Sequence, residues 1–157
     1  MKDSVGLSGR FEFRHFRTGE LLEAQSVGNL VVNTGLAGVA GLIIQTGSTS
    51  PFSYLAIGTS TAVVASTDTA LYGELTTGGG QRALASLSRV TTDVTNDTAQ
   101  LVKTFTFSTT GTYAITEAGV FDSAATSSAT MLCRQIFTAI NVVNTDTLEV
   151  TYKLDVD

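Results

Sequence analysis

The sequence predicts an all-β domain: an antiparallel β-sandwich, jelly-roll-like, with one short helix and an N-terminal arm and hairpin. Three observations carry this reading. The first is composition: the 157 residues include 15 glycines, one proline and only 15% charged side chains. The chain is also rich in threonine, whose branched β-carbon suits a pleated, half-buried surface. The second is alternation, clearest at the C-terminus. There Leu148, Val150, Tyr152, Leu154 and Val156 share one side, and Thr147, Glu149, Thr151, Lys153 and Asp155 share the other. The third is spacing. Strand-like segments recur at intervals broken by turn residues, with one credible helix among them, whereas a parallel α/β fold needs a helix between successive strands. A hydrophobic content of 43%, a mean hydropathy of +0.23 and a net charge of −5 give a single domain over residues 1–157 enough apolar surface to offset its ordering entropy.

Taken in order, residues 1–9 lack a period and read as an extended arm. Residues 10–28 read as a hairpin: Phe11 and Phe13 alternate with Glu12 and Arg14, Arg17-Thr18-Gly19-Glu20 turns, and Leu21 to Val27 returns. The body follows over residues 29–157. Asn33 or Thr34 is placed to cap a helix that carries Leu36, Val39, Ala40 and Ile43 at helical spacing and ends near Gly47. Phe52–Ile57 reads as a buried strand, Gly58–Thr67 as a loop, Asp68–Leu75 as a single helical turn, and Gly78-Gly79-Gly80 as a flexible break. Beyond it the pattern is almost continuously β: Arg82–Val94, Thr98–Ser108, Thr112–Asp122, Thr130–Phe137 and the last strand. Thr95-Asn96-Asp97 supplies the loop between the first two of these.

Charge excludes some partners and suggests another. A pI near 4.7 with nine Lys and Arg lacks the basic footprint that nucleic-acid binding requires. A single cysteine makes no internal disulfide, the N-terminus shows no secretory pattern, and Leu30–Ile44 is too short and interrupted for a membrane helix. Charge is nevertheless uneven, since residues 1–17 hold Lys2, Arg10, Arg14 and Arg17 against Asp3 and Glu12. These four are the candidate partner-contact residues, steering that end toward an acidic surface. The alternative is an ordinary solvated hairpin face.

Catalytic and metal readings find little support. The one histidine, His15, has no orienting carboxylate or nucleophile in its local sequence, and Cys133 sits where a small buried apolar residue fits. Zinc needs several Cys or His ligands, and Asp93, Asn96 and Asp97 lack the spacing and closing acid of a calcium loop. Gly35, Gly38 and Gly41 match no phosphate-binding motif and instead suit close packing of a helix face. Glu117, within an apolar stretch, is expected to pair with Arg82, Arg89 or Arg134. The expectation is a protein that is not an enzyme and holds no cofactor or metal.

The order of several segments resembles a known group. Asn29-Leu30-Val31-Val32-Asn33-Thr34-Gly35-Leu36, then Tyr54-Leu55-Ala56-Ile57-Gly58-Thr59, then Asp68-Thr69-Ala70-Leu71 with Glu74, is similar to small virion structural proteins of tailed bacteriophages. The likeness continues through Ile115–Asp122, Leu132–Phe137 and Asp146–Tyr152, and spans most of residues 10–156. The group includes head decoration (cement) proteins and tail or fibre proteins, and several members are homotrimers. The resemblance implies a homotrimer bound to the major capsid protein on the outer head of the virion, made in the host cytoplasm, without membrane or nucleic-acid partners. A tail, baseplate or fibre component is the alternative. A carbohydrate-binding attachment module is a third reading, weakened by the lack of tryptophan and the presence of only four tyrosines.

Overall fold

In a computed structural model, which describes residues 6–47 and 50–156, the chain forms two five-stranded antiparallel sheets packed as a sandwich, with one short helix. The elements are β1 (Leu7–Arg17), β2 (Glu20–Gly28), β3 (Leu30–Val31), α1 (Asn33–Ile44), β4 (Tyr54–Gly58), β5 (Ala83–Leu84), β6 (Ser86–Val90), β7 (Thr98–Thr106), β8 (Tyr113–Phe121), β9 (Met131–Val142) and β10 (Thr147–Val156). One sheet has the order β2-β1-β10-β7-β6 and the other β3-β9-β8-β4-β5. The hairpins β1–β2, β6–β7 and β8–β9 each stay within one sheet, whereas β10 pairs with β1 and β7, both distant from it in sequence.

Alternation decides which side chains meet between the sheets. Phe11 and Phe13 on β1, Leu101 and Phe105 on β7, and Leu148, Val150 and Tyr152 on β10 all point inward and are buried. They face Leu55, Ile57, Ile115, Val120, Cys133 and Ile140 of the other sheet. Aromatic pairs lock the middle of the core: Phe11 lies 4.9 Å from Tyr152 and Phe13 lies 4.0 Å from Phe137, measured between ring centres. A smaller cluster of Val32, Ala56, Leu71, Phe121 and Met131 forms on the opposite face of the second sheet, beneath the chain that leads from β4 to β5.

The first hairpin turns through Thr18 and Gly19, both at positive φ, and its register shifts by one residue between His15 and Phe16. The extra residue, Leu22, lies on β2, so β1 keeps its alternation and Arg17 falls on the face of His15, opposite the row formed by Arg10, Glu12 and Arg14.

Several expectations are corrected. The arm expected over residues 1–9 gives way to strand from Leu7, where Leu7, Ser8 and Gly9 pair with Val156, Asp155 and Leu154; residues 1–5 lie outside the described ones. The helix is present, but its N-cap is Val32, without a side-chain cap, because the Thr34 hydroxyl donates to the Met131 carbonyl on β9 instead. Its buried face is the one the glycines form, as their spacing suggested. Gly35 and Gly38 are buried, whereas Leu36 and Ile43 point outward. A Cβ on Gly35 would overlap the Leu132 backbone, so glycine there lets α1 lie directly on β9. Asp68–Leu75 is an irregular loop with a single bridge at Glu74 and no helical turn. Arg82–Val94 divides into β5 and β6, which belong to opposite sheets, and Val156 at the end of β10 is 47% exposed. No helix among the described residues is long and apolar enough to cross a membrane.

Candidate functional site

Each described arginine of the N-terminal hairpin faces a carboxylate. On β1, Arg10 Nε lies 3.0 Å from Glu12 and Arg14 Nη1 lies 3.3 Å from Glu149 of β10, two exposed pairs of the kind that contribute little to stability. Lys153 reaches Glu12 from β10 at 3.1 Å, completing a row of alternating charge across the outer sheet face. Arg17 binds Asp146 in bidentate fashion, at 2.9 and 2.8 Å. The three side chains are therefore brought onto one strand, with their charge matched by neighbours rather than gathered into a cationic site. Lys2 lies outside the described residues.

Asp146 anchors the turn between β9 and β10. Fully buried, it accepts hydrogen bonds from Arg17 and from the Val143 N–H, and pairs with His15 Nε2 at 2.9 Å. The Arg17 guanidinium, supported by Val143 and His15 against the opposing effect of burial, holds the Asp146 carboxyl well below the usual carboxylate range. The other ring nitrogen of His15, Nδ1, lies 3.5 Å from Glu23 on β2. His15 thus has the carboxylate its local sequence did not reveal, contributed by a residue far along the chain. The arrangement staples the first hairpin to the β9–β10 turn.

A second ionic cluster lies under the loop after β4. Arg134 on β9 and Glu117 on β8 are both fully buried and pair at 2.9 Å, while Arg134 Nη1 donates to Asp68 at 3.0 Å. Arg134 also donates to the Ala62 carbonyl, and its guanidinium stacks on the Tyr72 ring at 4.7 Å. Glu117 accepts the Gly73 N–H at 2.6 Å, and Asp68 accepts the Ala65 N–H and the Tyr72 hydroxyl. Burial opposes ionisation of Asp68 but is outweighed by the Ala65 N–H, Arg134 and Tyr72, so its pKa is lowered. One arginine and two carboxylates therefore hold the backbone of residues 62–73 onto the sheet. Of the three arginines proposed for Glu117, Arg134 is the partner; Arg82 pairs with Glu74 at 2.7 Å and Arg89 is exposed on β6.

The remaining candidates have structural partners. Asp97 accepts the backbone N–H groups of Thr92, Asp93 and Val94, and those bonds lower its pKa. It closes its own loop, as an Asx turn does. Among the described residues, no group of three or more His, Cys, Asp or Glu side chains is arranged to hold a metal ion. Cys133 is buried, and that burial pushes its thiol up to about 12, where it stays protonated and inert.

The feature that motif reading missed is a surface without charge. Between Glu23 and Asp68 the sequence contains no Asp, Glu, Lys, Arg or His. This run includes α1, whose outward side presents Leu36 (49% exposed), Ile43 (77%) and Ile44 (67%). The gap in charge was legible in the sequence, but its meaning depended on knowing that the large aliphatics of α1 point outward. Compared with family models, curated proteins and solved structures, the chain has no match in any of the three.

Proposed function

We propose that this protein is a structural component of a tailed-bacteriophage virion, a homotrimeric decoration protein that binds the outer head surface and stabilises the shell. The reading rests on the resemblance in segment order, and the observation that supports it most is the uncharged face of α1. Large aliphatic side chains exposed on a charge-free surface are suited to contact between protein subunits, whose central contacts are depleted in charge. The ionic clusters, meanwhile, are engaged in bracing loops and turns, which suits a protein that works by holding its shape.

The shell contact is assigned to the N-terminal end, with Lys2 as its cationic residue, because Arg10, Arg14 and Arg17 already face carboxylates. Removing residues 1–17 would delete β1, which lies between β2 and β10, and so would test folding rather than binding. Removing residues 1–5 is the informative truncation. The experiment is co-sedimentation of the full chain and this truncation with purified heads that lack the protein, followed by heating. The full chain is expected to bind saturably and to raise the temperature at which heads rupture, because a ligand of the assembled state stabilises it by mass action. The truncation is expected to fold but bind more weakly. No binding to heads, with binding to tails, would replace the decoration role by the tail, baseplate or fibre role.

A further inference from the structure

We infer that the outward face of α1 is a self-association surface whose partner is the same helix region of a second copy of this chain. This deepens the assembly reading by naming the contact, and it rests on four observations. First, Leu36, Ala40 and Ile43 follow one another at spacings of four and three along α1, so they form one ridge. Leu36 and Ile43 are 49% and 77% exposed.

Second, a groove runs beside this ridge, lined by Ala37, Gly41, Ile44, Gly47 and Thr130 among others, with no charged residue in its lining. Every copy therefore offers both a ridge and a receiving groove, the condition for a contact that a chain makes with itself, either as a twofold pair or as a closed ring.

Third, charge selects the partner. The chain carries a net charge of −5, so two copies repel through most approaches, yet residues 24–67 contain no Asp, Glu, Lys, Arg or His. Approach through this region desolvates no carboxylate and places no like charges together.

Fourth, the size is adequate. The 12 residues of α1 are extended at the N-terminal turn by the loop over residues 59–67, whose Ser66 carbonyl accepts the Asn33 N–H at 2.8 Å. That loop adds Val63, 83% exposed. With the turn over residues 45–47 these segments total 24 residues, and leaving out the buried Gly35 and Gly38 gives 22, at the lower end of the roughly 20–30 residues that one side of a standard interface contributes.

The test is the solution mass of the full chain by light scattering across a dilution series, for wild type, Ile43→Glu, Leu36→Glu and the control Val94→Glu. Val94 is 69% exposed but lies in the loop between β6 and β7. Wild type and V94E are expected at a multiple of 16.4 kDa. I43E and L36E are expected to fold, by circular dichroism, and to dissociate at a concentration at least tenfold higher or to run at the monomer mass. A monomeric wild type at high concentration would overturn the inference, as would oligomers that tolerate both glutamates. Unfolding of both variants would also overturn it, since those side chains would then belong to the monomer's own core. Head binding is read separately: an oligomer that depends on α1 but binds no heads refutes the virion reading alone, whereas a monomer that binds heads refutes the helix contact alone.

Discussion

Replacing Arg134 by methionine tests the buried ionic cluster, because the change keeps an unbranched side chain and removes only the cation. In the native protein Arg134 faces Glu117 at 2.9 Å and Asp68 at 3.0 Å, and all three side chains are almost wholly buried. The variant leaves two carboxylates without their cation, although Glu117 keeps the Gly73 and Tyr72 N–H groups and Asp68 keeps the Ala65 N–H and Tyr72 hydroxyl. Breaking a buried pair by removing one partner costs about 3–5 kcal/mol. The remaining donors soften the loss, the second stranded carboxylate adds to it, and about 4 kcal/mol is expected. A domain of this size has a total stability of roughly 5–15 kcal/mol, so the variant should still fold.

The pH dependence identifies the cause. In the native protein Asp68 has a lowered pKa, so its contribution is present above the unfolded value near 3.9 and is lost as pH falls through the folded value. In the variant, Asp68 stays buried without its cation, and its folded pKa would rise. Its penalty is absent below the unfolded pKa and grows as pH rises through the folded one. Urea unfolding at pH 7 and pH 4.5 should therefore show the gap between native and variant narrowing in acid, and adding Glu117→Gln to the variant should narrow it at pH 7. A loss below about 1 kcal/mol at pH 7 would refute the reasoning, as would a gap that does not change with pH.

Three further outcomes are expected. Asp146→Asn should cost about 2 kcal/mol at pH 7, because the charge-assisted bonds from Arg17 and Val143 weaken. Since the folded pKa of Asp146 is lowered, urea titrations should show that difference disappearing as pH falls below 4. Gly35→Ala should destabilise by about 2 kcal/mol in thermal unfolding, with overlap against the rigid Leu132 backbone outweighing alanine's helix-propensity gain of about 1 kcal/mol, whereas Gly38→Ala meets only the Phe52 ring and should be close to neutral. Cys133 should stay unreactive toward a thiol reagent at pH 8 until denaturant is added, and reactivity in the native protein would contradict its burial.

The sheets were legible because their signal is local. The alternation from Leu148 to Leu154, the Thr18-Gly19 turn and the Asp97 loop each depend on residues adjacent in sequence. What escaped was set by distant contacts. Thr34 abandons its capping role for a carbonyl on β9, and Leu36 and Ile43, although at helical spacing, are left facing outward once the glycine face packs on the sheet. The apparent strand over residues 82–94 divides because the two sheets compete for it, which alternation alone does not record. The same holds for side-chain chemistry. Glu117 was rightly expected to need an arginine, but the choice of Arg134 follows from β8–β9 pairing, and the His15–Asp146 contact joins residues at opposite ends of the chain.

The most direct test of the assembly account is a cryo-EM reconstruction of purified phage particles incubated with this protein. The account expects symmetric clusters of the sandwich on the outer head surface, with α1 of each copy against a neighbouring copy and the N-terminal end toward the shell. Isolated single copies whose α1 faces solvent, or particles with no copy on head or tail, would contradict it.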